Sequence, residues 1–197
     1  MEPRHFRTIF ALTFVMSLSA CSNNGREMQP PTADQLESIA VTTTVGAVIA
    51  PVDSFALTPP WAEATEIDAQ YTCATGISPS LTFVNVASDI VTLALSIVDE
   101  TADNSVQWIV ANIQPTDLVV AQGVVPAGAI EAINALGTVG FGAPCPPAGQ
   151  THTYRLTGYG LSQQLDLENG VDSATLIQAI ELAALDSQSS SFTVTSN

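Results

Sequence analysis

The sequence predicts a mostly β protein with a few peripheral helices. Short runs rich in β-branched and apolar residues recur along the chain, each stopped by Pro, Gly or Asp. These strand-like runs clearly outnumber helical ones. A single well-marked helical pattern lies near the C-terminus.

Residues 39–50, IAVTTTVGAVIA, are dense in Val, Ile and Thr and read as one strand or two. Residues 81–86, LTFVNV, alternate apolar and polar side chains, the period of a half-buried strand. Residues 91–98, VTLALSIV, form a longer apolar run between Asp89 and Asp99. Residues 108–113, WIVANI, form another, stopped by Pro115. Residues 155–159 are a shorter strand candidate after a Pro- and Gly-rich loop, and residues 192–195 close the sheet. The spacing predicts a helix over 173–185: Asp172 suits the N-cap, and Leu176, Ile177, Ile180, Ala183 and Ala184 fall on one face. A second helical turn or two is expected around 127–136. Gly140-Phe141-Gly142 and Gly158-Tyr159-Gly160 read as turn glycines. The chain carries no internal repeat.

Of the 197 residues 46% are apolar, enough for a core, and only 12% are charged. There is no Lys, and Arg4, Arg7, Arg26 and Arg155 stand against 19 acidic residues, a net charge of −15. Such a field repels phosphate backbones, so nucleic acid is not an expected partner. Extended contact with an anionic lipid surface is disfavoured for the same reason.

The N-terminus reads as a targeting signal. Arg4 and Arg7 form a positive region, and residues 9–18 an apolar one too short to cross a hydrocarbon core of about 30 Å as a helix. Leu18-Ser19-Ala20-Cys21 follows and looks like the lipobox of bacterial lipoproteins, in which the Cys thiol is lipidated and becomes the new N-terminus. Ser22, rather than Asp, after that Cys resembles outer-membrane sorting. Residues 1–20 are therefore expected to be a signal peptide. Residues 21–35, polar and carrying Pro30-Pro31, would be the lipidated Cys and a flexible tether, and residues 36–197 the domain. With Cys21 lipidated, Cys73 and Cys145 remain as an even pair in an oxidising compartment, where a disulfide is favoured over two buried free thiols.

Three further segments act together. Residues 71–81 read YTCATGISPSL, preceded by LTPPWAEATEID. Residues 93–99 end in Asp99 and are followed by QWIVANI at 107–113. Residues 140–149 read GFGAPCPPAG and are followed by His152-Thr153-Tyr154. In order and spacing they resemble the phosphatidylethanolamine-binding protein family, in the bacterial branch named for its similarity to Raf kinase inhibitor proteins. The resemblance runs from about Leu57 to the C-terminus. It implies a β-sandwich with a Greek-key-like sheet, a second smaller sheet and peripheral helices. It also implies a small surface pocket for phosphoryl or carboxylate groups, at Asp99, Pro146, Pro147, His152 and Tyr154. Gln107 stands where the family has a pocket-facing His, and can donate an N–H but cannot become cationic. Glu100, Thr101 and Asp103 stand where the family has Pro, Asp and Pro.

The chemistry of these residues suits such a pocket. A Pro-Pro loop is stiff and needs little ordering. Two residues apart on a strand, His152 and Tyr154 point to one face and offer an imidazole N–H and a phenol O–H. Asp99 could orient His152 by accepting its second N–H. Singly, each has a blander reading: a solvated turn residue, a loop histidine, a core tyrosine. Trp108 reads as core or pocket wall. Apart from the leader, His152 is the only histidine, so no metal site is expected and no cofactor is implied. No G-x-S-x-G elbow accompanies it, and no enzyme is expected. The expected function is an anchored, non-enzymatic binding module of the bacterial envelope for a small phosphoryl-containing or other polar ligand. The alternative is an envelope interaction or inhibitor protein with a protein partner and a degenerate pocket.

Overall fold

A computed structural model of the chain describes residues 54–196. The signal peptide, Cys21, the tether and the strand expected at 39–50 lie outside the described residues.

The described residues form two sheets and one α-helix. β1 (Ala56–Thr58), β3 (Leu81–Val84) and β6 (Val119–Val120) make a small antiparallel sheet in the order β1-β3-β6. The large sheet has seven strands, ordered β2-β10-β8-β4-β5-β7-β9. They are β2 (Thr65–Glu66), β4 (Thr92–Asp99), β5 (Ser105–Ile113), β7 (Ile130–Ile133), β8 (Thr151–Leu161), β9 (Val171–Asp172) and β10 (Ala184–Thr195). The stretch β8-β4-β5-β7 is a Greek key: β4, β5 and β7 follow one another in the sheet, and β8 returns to lie beside β4. The two-residue edge strands β2 and β9 pair parallel with their neighbours.

Burial explains the sequence pattern. β4 is buried along its whole length, because both faces are covered. Leu93, Leu95 and Ile97 face the small sheet and join Phe55, Leu57, Leu81, Phe83 and Val120 in the main core. Ala94, on the other face, joins Ile109, Ala111 and Leu161 under the helix α1 (Ser173–Ala183), which contributes Leu176, Ile180 and Ala183. Each fully buried Leu or Ile of this kind stabilises the fold by about 1.5–3 kcal/mol. Asp172 caps α1 as its sequence suggests, accepting from the N–H groups of Ala174 and Thr175 at 3.1 Å each.

Three expectations need correction. The helical turns expected at 127–136 are instead β7. Its Ile130 and Ala132 are buried in period 2 against β5, and Gly128 and Gly137 at φ +79° and +78° break the chain on either side. Gly158 and Gly160 are not turn residues: both lie within β8. A Cβ at Gly158 would stand 2.6 Å from the Leu57 Cβ, so this glycine admits the small sheet to close contact. Finally, β10 begins at Ala184, straight after the helix, well before residues 192–195. Its serine-rich first half pairs with β8 throughout, and Ser189 Oγ lies 2.8 Å from Thr157 Oγ1.

Candidate ligand site at the end of the large sheet

Asp99 is the last residue of β4. Sheet register puts it opposite Ser105 of β5 on one side and Tyr154 of β8 on the other. It is 4% exposed and fully engaged. Oδ2 accepts from His152 Nδ1 at 2.7 Å, and Oδ1 accepts from the backbone N–H groups of Thr101 and Ala102 at 3.0 and 3.1 Å. A carboxylate only accepts, so Nδ1 of His152 carries the hydrogen, which sets the ring's orientation. The remaining nitrogen, Nε2, lies 3.3 Å from Gln150 Oε1, a long contact beside the usual ~2.9 Å.

Tyr154 sits beside this pair, opposite Asp99 in the sheet register and with its ring 6.4 Å from that of His152. Burial first, then the charge and hydrogen bond of Asp99, push its phenol well above the usual tyrosine range, while the Cys145 N–H pulls it back a little. Its ring stacks on Phe192 at 5.2 Å and 12°, and Phe192 meets Trp61 at 4.9 Å. Those aromatic contacts hold the strand end rigid.

The loop before β8 is tied down on several sides. Cys145 is joined to Cys73 by a disulfide with a Cα–Cα distance of 5.3 Å. The Cys73 N–H donates to Pro144 O at 3.1 Å. Pro146 is buried and Pro147 exposed, the latter accepting the Gln150 N–H at 3.0 Å in a tight turn. Gln107 is the extra residue of a β-bulge: Trp108 pairs with Ile97 and Val106 with Val98, leaving Gln107 between them. Its carbonyl accepts the Gly142 N–H at 2.7 Å, an approach close enough that a Cβ at Gly142 would stand 3.2 Å from that oxygen. Its amide turns to Ser105, with Nε2 3.2 Å from Oγ.

The structure thus brings Asp99, His152 and Tyr154 into direct contact. Pro146 and Pro147 lie on the disulfide-tied loop that leads into β8. Gln107 is anchored to the base of that loop through its backbone, while its side chain bonds to Ser105. The departures at Glu100 and Thr101 have their own partners. Thr101 Oγ1 accepts the Thr153 N–H at 2.9 Å, and Glu100 meets Arg155 Nη1 at 2.7 Å in an exposed ion pair worth at most about 1 kcal/mol. Gln150 was not singled out by sequence reasoning, although its place two residues before His152 is a legible signal. Asn134 was missed as well: it is buried, bonds to Thr138 and to the Gly140 carbonyl, and holds the turn leading into the loop.

The fold and this strand end define a β-sandwich domain with a buried carboxylate–imidazole pair beside a disulfide-braced, proline-rich loop. Residues 58–195 match the family model described as phosphatidylethanolamine-binding protein. The chain belongs to that family. It is 34% identical over 179 residues to a protein of Mycobacterium tuberculosis strain H37Rv named "Putative lipoprotein LppC", covering 88% of this chain and 87% of that one. It is also 34% identical over 123 residues to a UPF0098 protein of Methanothermobacter thermautotrophicus, covering 58% of this chain and 81% of that one. A phosphatidylethanolamine-binding protein homologue of Chlamydia trachomatis superposes with a TM-score of 0.67 at 27% identity, covering 74% of this chain and 99% of that one. Escherichia coli YbcL shares the fold, with a TM-score of 0.68 at 21% identity over 73% of this chain and 99% of that one.

Proposed function

We propose that the chain is a non-catalytic binding module, held at the bacterial cell envelope by a lipid on Cys21. It takes a small phosphoryl-bearing or other polar head-group ligand at the Asp99–His152–Tyr154 strand end. In this reading residues 1–20 are removed, residues 21–35 lift the domain off the membrane, and residues 36–197 bind. The family's name supports a head-group ligand, and the lipoprotein name of the mycobacterial relative supports the anchor.

The observation that carries the reading is the His152–Asp99 bond at 2.7 Å. A buried imidazole held at Nδ1 by a carboxylate has its Nε2 edge left for the ligand: the neutral ring accepts there from an ammonium or hydroxyl, and the doubly protonated ring donates to a phosphoryl oxygen. Only Gln150, on a mobile-length side chain at 3.3 Å, competes for it. A zwitterion such as phosphoethanolamine fits the acidic surroundings better than free phosphate, because its ammonium can meet nearby carboxylates.

The test is a calorimetric titration of the full chain in detergent with phosphoethanolamine. Binding at millimolar ligand or tighter, weakened at least tenfold by His152→Ala, is expected. No heat of binding at millimolar ligand would sink the proposal. A Gln107→His variant separates two failures: binding by that variant alone means that the pocket has lost affinity through its bulge residue.

One observation favours a second reading, an envelope interaction or inhibitor protein with a degenerate pocket. The Asp99 carboxylate is taken up by His152 and by the backbone N–H groups of Thr101 and Ala102, and both Asp99 and Tyr154 are buried. Under this reading His152→Ala leaves capture of the protein partner unchanged, and charge reversal on the acidic surface abolishes it.

A further inference from the structure

Away from the Asp99–His152 strand end, β5 and β7 floor a groove of about 370 Å³. Its walls are mixed: Ile77, Val125, Val139 and Phe141 supply apolar surface between polar stretches at Gly76, Ser78, Gly123 and Gly140, and the side chain of Trp108 reaches it from the core. Glu131 of β7 is the only ionisable residue in the lining. The other side-chain oxygen present, Ser78 Oγ, is occupied by the Gly123 N–H at 3.1 Å.

Glu131 is held in place at both its side chain and its backbone. Trp108 Nε1–H donates to Oε1 at 2.7 Å. The Glu131 backbone is fixed by Asn169 Oδ1, which accepts its N–H at 2.8 Å, and by the Gly170 N–H, which donates to its carbonyl at 2.8 Å. Gly140, at φ +100°, passes close: a Cβ there would lie 3.3 and 3.4 Å from the two carboxylate oxygens. So the backbone leaves room for the charge and Trp108 aims it, but no cation among the described residues neutralises it. Arg155 is the only Lys or Arg among the described residues, and it is paired with Glu100.

We propose that this groove is a binding site for an organic cation, a primary ammonium or guanidinium on a short apolar stem. The stem lies along Val125, Val139 and Phe141, and the charged head meets Glu131. A preset carboxylate, an aromatic ring beside it and a net charge of −15 behind it all favour that ligand over a neutral or anionic one. The same head group could come from a free amine or from a lysine side chain of a peptide. This site is independent of the head-group reading above and does not share its residues.

The indole N–H resonance of Trp108 reports the site directly, because that proton is bonded to Glu131. Full-length protein in detergent is titrated by NMR with butylamine, with N-acetyl-lysine amide, and with butanol as the uncharged match. A saturable shift of the Trp108 resonance with either amine, and none with butanol, is the expected result. Which amine binds more tightly tells a free ligand from a peptide-borne one. Glu131→Gln can still accept the indole N–H and should weaken binding at least tenfold. Asp186→Asn removes a charge four strands away in the sheet and should leave it unchanged, as should His152→Ala. If Glu131→Gln does not fold, Val139→Lys puts the chain's own ammonium at the groove mouth and should block the amines to the same extent. No saturable shift with either amine, equal shifts with butanol, or equal losses in Glu131→Gln and Asp186→Asn would overturn the site.

Discussion

Tyr154 keeps its proton because the fold surrounds it with apolar contacts and a carboxylate. An unfolded tyrosine titrates near pH ~10. Above that pH the unfolded chain releases a proton that the folded chain retains, so this residue's contribution is complete below pH ~10 and is lost as pH rises further. Thermal melts between about pH 9 and 11.5 should therefore show a steep alkaline loss of stability, and Tyr154→Phe should flatten it. An unchanged slope would mean that the phenol is not held neutral by its surroundings. Gly158 gives a second test at the same scale. Gly158→Ala pushes a methyl against the Leu57 Cβ from 2.6 Å, between two backbones with little room to part. A loss of about 1–3 kcal/mol in urea unfolding is expected, the usual cost of overpacking. A loss below about 0.5 kcal/mol would show that the small sheet can shift to make room.

Helix α1 depends on its cap. The Asp172 carboxylate is held below the ordinary aspartate range, first by the Thr175 hydroxyl and then by the N–H groups of Ala174 and Thr175. Its contribution is present above the unfolded value and fades as pH falls through the lower folded one. Asp172→Ala should lower the melting temperature at neutral pH, and the gap to the native chain should close in strong acid. A gap that persists there would assign the effect to the backbone. The disulfide acts on a longer span. Cys73 and Cys145 are 72 residues apart, so on chain-entropy grounds the link is worth about 4 kcal/mol. Reduction should lower the unfolding midpoint accordingly, and should loosen the loop that carries Pro146 and the Tyr154 contact.

These elements also show what could be read from the sequence and why. The strand over 91–98 was legible because both faces of β4 are buried, so its apolar run is broken only by Thr92 and Ser96. The helix was legible because its cap and its apolar stripe agree. β7 was misread because four residues are too few for a period of 2 to outweigh helix formers such as Glu131, Ala132 and Leu136. The first half of β10 was missed because Ser and Gln carry no strand signal; its pairing is a backbone ladder with β8. At the candidate site, Asp99, His152 and Tyr154 were picked out by the resemblance of their segments to the family pattern, since each alone has a blander reading. The bulge that isolates Gln107 was not, because it arises from register between strands, which no single segment encodes.

At the scale of the molecule, the dominant quantity is charge. With a net charge of −15, the folded chain repels itself, and mobile ions relieve that repulsion over a Debye length of about 10 Å at 0.1 M salt. The melting temperature should rise by a few degrees between about 10 mM and 0.5 M sodium chloride, the shift expected for about 1 kcal/mol in a chain of this size. A fall would mean that attractive pairs such as Glu100–Arg155 outweigh the repulsion.

The large sheet ends on either side in a strand of two residues, β2 and β9, each carrying an acidic side chain, Glu66 and Asp172. A longer bare margin would offer a row of free N–H and C=O groups to the next molecule. Here β2 covers only Phe192 and Thr193 of β10, so from Asp186 to Ser191 the margin is guarded by its side chains, a carboxylate and a run of Ser and Gln in place of apolar residues. Among the described residues, a second copy approaching that stretch would meet hydroxyls, amides and a carboxylate, and little apolar surface on which to register.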